Sequence, residues 1–321
     1  MLNPADAAFA ERLTDAGIKT RAATSSYLEE QRGRFKGLSE IVALPASTEE
    51  VSRVVRLCHE ASVPLIPYGG GTGLVGGQVA LNGPHPLVLS LERMDRIRDI
   101  HPQESTLVAE AGVTLANLQA AADNAGRLFP LTYASKDSAR IGGALAVNSG
   151  GLNVLRYGTA RDLCLGVEAI MPDGEVFHGL KRLRKDNTGY DLRNLLIGSE
   201  GTLGVITAAS LKLFPRPANR ATAFIAVRDP AAALELLTLF QDRAGETVSA
   251  FELISGQSFA FLAETHPDLR LPFEAPPDWA VLVELGTGPG VDPEGLLADA
   301  FEAALDASLA ADARLAQSEA Q

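Results

Sequence analysis

The sequence predicts an α+β chain in two parts, and three observations carry that reading. Residues 41–67 run strand, helix, strand and deliver a loop dense in glycine, the arrangement that presents backbone N–H groups to an anion. Two further glycine clusters follow before residue 205. Beyond Pro215 and Pro217 the chain alternates apolar strands with Ala-rich helical segments, as a separate α+β domain would. The expected division is residues 1–218 and residues 219–321.

Each element has a local reason. Residues 1–36 read as an amphipathic lead-in helix followed by a charged loop. Ile41-Val42-Ala43-Leu44 is a strand closed by Pro45, and Ser47-Thr48-Glu49-Glu50 forms a capping box ahead of Val51, Val54, Val55 and Cys58 at helical spacing. Residues 63–67 are a short buried strand, and residues 87–91 and 106–110 are two more. Residues 94–100 have no clear type. Thr114 can cap a helix that Gly126 ends. Pro172-Asp173-Gly174-Glu175 is a turn that pairs residues 167–171 with 176–178. A strand runs from Leu203 to Phe214. Later strands are expected at 223–227, 249–254 and 279–285, with helices at 231–240 and 294–310. That leaves the second part short of strands.

Composition excludes several functions. The net charge is −12, which argues against a nucleic-acid partner, since phosphates are neutralised by clustered Lys and Arg. No apolar run reaches the roughly 20 residues of a membrane span. The start, Met1-Leu2-Asn3-Pro4-Ala5-Asp6, lacks the basic and apolar regions of a signal peptide, and no Arg-rich presequence is evident. Cys58 and Cys164 sit alone in apolar contexts, as buried thiols in a reducing compartment do. A cytoplasmic location is expected.

The chemistry centres on Pro67-Tyr68-Gly69-Gly70-Gly71-Thr72-Gly73-Leu74-Val75-Gly76-Gly77. So little side-chain bulk lets the backbone approach a ligand closely, and a pyrophosphate cradle is the first reading. A formal G-x-G-x-x-G lies within it (Gly71, Gly73, Gly76), with Glu92 at the distance of a ribose-binding acid. That Rossmann reading needs a helix to begin inside the motif, and Gln78-Val79-Ala80-Leu81-Asn82-Gly83-Pro84 is poor helix sequence. A helix at 74–84 would revive it; a loop would remove it. A P-loop lacks its Gly-Lys-Ser/Thr, and a plain glycine turn remains open. The second cluster is Ile141-Gly142-Gly143-Ala144-Leu145-Ala146-Val147-Asn148-Ser149-Gly150-Gly151, which suits either a flat ring lying on the chain or tight helix packing. The third is Lys185-Asp186-Asn187-Thr188-Gly189-Tyr190-Asp191-Leu192 followed by Ile197-Gly198-Ser199-Glu200-Gly201-Thr202-Leu203-Gly204-Val205-Ile206-Thr207. Lys185, Asp186 and Asn187 are either substrate-side groups or holders of that turn.

These clusters, in this order and over about residues 40–290, resemble the FAD-linked oxidases of the vanillyl-alcohol oxidase type. The nearest branch contains D-lactate, glycolate and D-2-hydroxyglutarate dehydrogenases. The resemblance implies a PCMH-type FAD-binding domain of two α/β subdomains (1–218), followed by the start of a ferredoxin-like α+β cap domain (219–321), incomplete. Gly69, Gly70, Gly71, Thr72, Gly73, Leu74, Gly76 and Gly77 would wrap the FAD pyrophosphate. Pro130, Leu131, Ser138, Gly142, Gly143, Asn148, Gly150 and Gly151 would line the flavin and ribityl chain, and Gly204, Val205 and Ile206 the adenine or ribose. No His or Cys stands in the loops 69–77 or 141–151, so FAD is expected to be non-covalent.

The implied reaction takes two electrons from the α-carbon of a D-2-hydroxy acid, with hydride passing to flavin N5 and a base taking the hydroxyl proton. Electrons would leave to an electron-transfer flavoprotein or quinone, and a homodimer is a further expectation. The branch's base and metal ligands, for a divalent ion such as zinc, belong to a C-terminal His-rich motif that this sequence lacks. His59, His85, His101, His178 and His266 are scattered and read as surface or packing residues. The catalytic residues therefore stay unassigned. The chain is expected to be the N-terminal part of a longer enzyme, and the competing reading is a non-catalytic FAD-binding subunit that borrows its base from a partner chain.

Overall fold

The computed structural model describes residues 2–316. Its contacts divide the chain into two compact units, Met1–Gly150 with Thr159–Pro215, and Gly151–Gly158 with Arg216–Gln321.

The first unit opens with α1 (Ala7–Asp15), whose first turn is capped by the Asp6 carboxylate accepting the Phe9 N–H at 2.9 Å. Next come β1 (Thr20–Ala22), α2 (Ser25–Leu28), β2 (Ile41–Ala43), α3 (Thr48–Ala61), β3 (Leu65–Tyr68) and β4 (Leu87–Ser90). The sheet order is β1-β2-β4-β3, with β2, β4 and β3 parallel and β1 antiparallel to β2. The expected charged loop near residue 20 is thus partly a strand. Two of its three residues are exposed, so no apolar alternation marks it, and pairing to β2 holds it.

Ser47 caps α3 by accepting the Glu50 N–H at 3.2 Å, while the Glu50 carboxylate reaches the Ala46 N–H at 2.8 Å. The reciprocal half of the expected box is displaced by one residue. Val51, Val54, Val55 and Cys58 are buried on one face of α3, each large apolar side chain contributing about 1.5–3 kcal/mol.

The second sheet is built from β5 (Ile97–His101), β6 (Thr106–Glu110), β8 (Cys164–Ile170), β9 (Val176–Gly179) and β10 (Val205–Lys212), in the antiparallel order β5-β6-β10-β8-β9. Between and after these strands lie α4 (Leu115–Asn124), β7 (Arg127–Leu128), α5 (Ile141–Ala146), α6 (Val154–Tyr157), α7 (Leu192–Leu196) and β11 (Phe214–Pro215). Thr114 caps α4 through the Asn117 N–H at 3.2 Å. The turn at 172–175 closes the β8–β9 hairpin, with Ile170 opposite Val176. The segment of unclear type, 94–100, contributes most of the edge strand β5.

Helix α3 is bolted to the second sheet. Glu168 on β8 accepts the Thr48 hydroxyl at 2.6 Å, the Thr207 hydroxyl at 2.9 Å and the Arg98 guanidinium at 3.0 Å. The Ser52 hydroxyl donates to the Gly174 carbonyl at 2.6 Å. Fully buried Glu110 takes Arg96 at 2.8 Å and Arg98 at 3.3 Å. Burial pushes the two carboxyls up. The bonds from Arg98, Thr48 and Thr207 to Glu168, and from Arg96 to Glu110, outweigh it and hold both below the usual carboxylate range.

The second unit runs β12 (Asn219–Val227), α8 (Pro230–Ala244), β13 (Val248–Ser255), α9 (Gly256–Thr265), β14 (Trp279–Thr287), α10 (Pro293–Asp306) and β15 (Ala310–Leu315). The antiparallel order β13-β14-β12-β15 with α8 and α10 as crossovers is the ferredoxin-like split βαβ. Leu236, Phe240, Val281, Val283 and Leu285 form the centre of its core. The short helix α6 packs on β13, and Arg156 donates to the Gly286 carbonyl at 2.7 Å. Two expectations change here. The helix predicted over 294–310 ends at Asp306, and Ser308 turns the chain at φ +57°. Residues after it form β15, the fourth strand that the sequence pattern does not show. Helix α9 is likewise unpredicted.

Candidate functional site

Three loops meet in the first unit. The loop 69–77 leaves the end of β3, and its irregular path continues to residue 84 with no helix. That removes the Rossmann reading. Glu92, its candidate ribose acid, is spent elsewhere: it accepts the Tyr27 hydroxyl at 2.6 Å, Arg21 at 3.0 Å and the Ser90 hydroxyl at 3.1 Å.

Tyr68 ends β3 with its phenol turned inward, donating to the Ser26 carbonyl at 2.6 Å and packing on Tyr27 at 4.8 Å between ring centres. Burial, then the nearby Glu92, pushes its hydroxyl pKa up, so it remains a neutral donor. Gly71 passes over that phenol at φ +69°, and a Cβ there would lie 2.0 Å from the hydroxyl oxygen. Gly70 faces the segment just before the second cluster; its Cβ would lie 2.0 Å from the Ser138 carbonyl oxygen. Gly69 runs alongside Gly143, with 3.3 Å from its Cβ position to the Gly143 Cα. The Gln78 amide donates to the Gly73 carbonyl at 2.8 Å and closes the loop from behind. Among the described residues, no backbone N–H from residue 69 through 77 donates a hydrogen bond within the chain.

The second cluster is a short helix, α5, wedged so tightly that a Cβ on Gly142 would stand 2.6 Å from the Ala111 Cβ. The helix-packing alternative therefore describes its buried face. Its opposite side carries Gly143, next to Gly69. Pro130 and Leu131 are buried, and the Leu131 carbonyl accepts the Gln119 amide at 2.8 Å. Ser138 is exposed, presenting its carbonyl rather than its hydroxyl to the glycine loop. Asn148 is left-handed at φ +49°, and its side-chain oxygen accepts the Arg161 N–H at 2.9 Å. Among the described residues its NH2 group has no acceptor, which leaves it for a ligand. Contacts of the first unit stop at Gly150, and Gly151 begins the segment grouped with the second unit.

The third cluster is hung on the second. Gly198 and Glu200 donate their N–H groups to the carbonyls of Leu145 (3.0 Å) and Ala146 (2.9 Å). Arg161 holds the turn from below through the carbonyls of Asn194 and Ile197, the latter at 2.7 Å. Gly201 abuts Pro67, and the Glu200 carboxylate reaches the Gly77 end of the first loop. Val205 and Ile206 pair with β8, while the register of β10 with β6 begins only at Ala208. Their side chains are buried, so only backbone is available there. Lys185, Asp186 and Asn187 are exposed, and Asp186 pairs with Lys181 at 2.7 Å.

Sequence reasoning does not single out Tyr68, Gln78, Arg161 or Glu200 as site residues, because each lies outside, or is a lone side chain within, the glycine signal. None of the five histidines belongs to the three clusters. His59 lies on α3, His85 meets Glu40 at 3.0 Å, His101 meets Asp99 at 2.8 Å, and His178 and His266 are exposed. Among the described residues, no group of three His, Cys, Asp or Glu could hold a metal ion.

Comparison with known proteins agrees with the geometry. A family model described as the FAD binding domain matches residues 39–179, and one described as the C-terminal domain of FAD linked oxidases matches residues 216–321. The mitochondrial D-2-hydroxyglutarate dehydrogenase of cattle (Bos taurus) is 38% identical over 284 residues, covering 88% of this chain and 52% of the relative. The D-2-hydroxyglutarate–pyruvate transhydrogenase of Saccharomyces cerevisiae is 34% identical over 260 residues, covering 81% and 52%. The chain thus spans about half the length of these relatives. The solved structure of p-cresol methylhydroxylase superposes with a TM-score of 0.72 at 16% identity, over 98% of this chain and 68% of that one. This is the PCMH-type fold.

The expected cytoplasmic location is overturned, because the cattle relative and others of similar identity are designated mitochondrial. Buried thiols speak to redox state, which more than one compartment shares. With both domain matches, the relatives and the fold in agreement, the chain belongs to the FAD-linked oxidase family.

Proposed function

We propose that this chain carries the cofactor-binding half and the first part of the substrate domain of an FAD-dependent dehydrogenase that oxidises a D-2-hydroxy acid. D-2-hydroxyglutarate leads D-lactate and glycolate as substrate, on the names of the relatives. The observation that carries the reading is the loop 69–77, packed backbone to backbone against Gly143 and Ser138, with its N–H groups directed toward no acceptor among the described residues. Such an array suits a pyrophosphate. The fit is steric as well: a side chain at position 70 or 71 would fill the space that brings the loops together.

In this reading Gly69, Gly70, Gly71, Thr72, Gly73, Leu74, Gly76 and Gly77 hold the pyrophosphate, and Gln78 and Tyr68 set the loop's path. Gly142, Gly143, Asn148 and Gly150 form the floor for the flavin, with Pro130, Leu131 and Ser138 beside it. Gly204, Val205 and Ile206 offer backbone toward the adenosine. Attachment is non-covalent: the thiols of Cys58 and Cys164 lie in α3 and β8, and burial pushes both up to about 12. Bound FAD would supply the two-electron acceptor for hydride from the substrate α-carbon. The electrons then pass to a separate acceptor, an electron-transfer flavoprotein or quinone, and the holoenzyme is a homodimer.

A second reading, an FAD-binding subunit that takes its catalytic base from a partner chain, is favoured by the three glycine clusters containing no histidine. Anaerobic addition of D-2-hydroxyglutarate to the FAD-loaded chain tests where the base lies: bleaching of the flavin band places it in this chain and removes the second reading, while flavin that stays oxidised places it outside these residues, as both readings allow.

A further inference from the structure

One face of the second sheet carries polar groups along its length, and its two ends differ. In the register of β10 with β6, Ala208, Ser210 and Lys212 stand opposite Glu110, Val108 and Thr106. Directly opposed residues share a face and alternate residues return to it. Thr106, Ser210 and Lys212 therefore continue the row that begins at Glu110. Glu110 has Arg96 and Arg98 as partners. At the other end of β10, about 23 Å from Val205 and the glycine loops, Lys212 faces a threonine across the ladder.

That end is short of acceptors. Four buried side-chain atoms among the described residues lack a hydrogen-bond partner, and three of them are the Thr106 and Ser210 hydroxyls and the Arg193 Nε. Thr106 and Ser210 are fully buried. Unpartnered buried donors are costly, and several at one place point to a bound group. Lys212 is half-buried, and among the described residues its ammonium has no hydrogen-bond or ion-pair partner.

Two guanidiniums close around it. The segment after β9 crosses the sheet beside Ser210: the Lys181 nitrogen lies 2.4 Å from the position of a Cβ on Gly166, which is paired with Ser210. Further along, Arg184 donates to the carbonyls of Ser105 and Leu213 at 3.4 Å each, the chain neighbours of Thr106 and Lys212. Arg193 donates to the carbonyls of Cys164 and Leu165 at 2.9 and 3.1 Å, and Cys164 stands opposite Leu211. Burial, then Arg184 and Arg193, push the Lys212 pKa down. The nearby acids are engaged: Asp162 accepts the N–H and hydroxyl of Thr159 at 2.8 and 2.9 Å, and Asp191 pairs with Arg193 at 2.8 Å. Ammonium, guanidinium and hydroxyl groups gathered in this way call for a ligand that is negatively charged and only accepts hydrogen bonds. A phosphate offers oxygens on every side, where a carboxylate offers them on one.

We propose that the Lys212 end of the second sheet is a second anion site, separate from the glycine loops, that binds inorganic phosphate through Lys212, Arg184 and Arg193 over the Thr106 and Ser210 hydroxyls.

The test titrates inorganic phosphate at constant ionic strength into the purified full chain, with and without saturating FAD, by calorimetry and by melting temperature. Wild type, Lys212→Met and Arg184→Gln are compared. Wild type takes up one phosphate that FAD does not displace, and each variant binds it at least about tenfold more weakly, the loss expected for one charge-assisted hydrogen bond. In phosphate-free buffer Lys212→Met melts no lower than wild type, because it removes a desolvated cation from between two others. Arg184 is exposed, so Arg184→Gln keeps the test sound should Lys212→Met fold poorly. A wild type that binds no phosphate beyond any that FAD displaces would overturn the proposal. Variants that bind phosphate as wild type does would overturn it as well. Neither variant depends on the FAD reading, and a chain that binds phosphate at Lys212 but no FAD would sink that reading alone.

Discussion

The glycine at position 70 makes the sharpest prediction. A Cβ there would sit 2.0 Å from the Ser138 carbonyl oxygen, 2.8 Å from its carbon and 3.1 Å from the Ala139 Cα. All three are backbone or Cα atoms, so no rotamer change relieves the clash. Reaching ordinary contact requires the first loop and the segment before α5 to part by about 1 Å or more. Overpacking of this kind costs about 1–3 kcal/mol, and a displaced loop carries its N–H groups out of register with a pyrophosphate. Gly70→Ala is therefore expected to weaken FAD binding by roughly 5- to 150-fold. Gly73→Ala is the matched control. Its Cβ would meet the tip of the Gln78 side chain at 3.1 Å, a group free to move, so affinity changes by less than about threefold. Titration of FAD into each variant, followed by fluorescence quenching, reads the difference. Equal affinities for the two variants would refute the steric argument.

Other consequences follow from the same contacts. Tyr68→Phe removes the 2.6 Å bond to the Ser26 carbonyl and should lower stability by about 0.5–1.5 kcal/mol in urea unfolding. Glu168→Ala leaves Arg98 without its nearer carboxylate and Thr48 and Thr207 without their acceptor, at a cost of about 3–5 kcal/mol. Because the folded pKa values of Glu168 and Glu110 lie below their unfolded values, their stabilisation is present above about pH 4.3 and is lost as pH falls through the folded values. Glu168→Gln should flatten that acid limb in equilibrium unfolding, and an unchanged slope would contradict the assignment. Cys58 and Cys164, buried and with pKa pushed up to about 12, should resist a thiol reagent in the native protein and react fully in denaturant.

What the sequence shows and hides has physical causes. The turn at 172–175, the caps at Ser47 and Thr114, and the loop after β3 are legible because turn, cap and glycine chemistry act over a few residues. Strand β15 is hidden because Ala310-Ala311-Asp312-Ala313-Arg314-Leu315 has helix-forming composition, and only pairing with β12 makes it extended. The strands β1 and β5 are short or half-exposed edges with no alternation to find. At the site, glycine density marks which loops converge, while the side chains that shape them depend on contacts distant in sequence. Glu92 looks like a ribose acid by spacing, yet Tyr27 and Arg21 claim it. Asn148 looks like a ligand group, yet Arg161 takes its oxygen. Neither pairing is visible along the chain.

The central claim is that the glycine loops form a non-covalent FAD site, and the visible spectrum of the purified chain after FAD loading and desalting tests it most directly. The account predicts a retained flavin band near one per chain that is released into the supernatant on acid or heat denaturation. No retained flavin, or flavin that stays with the precipitated protein, would contradict it.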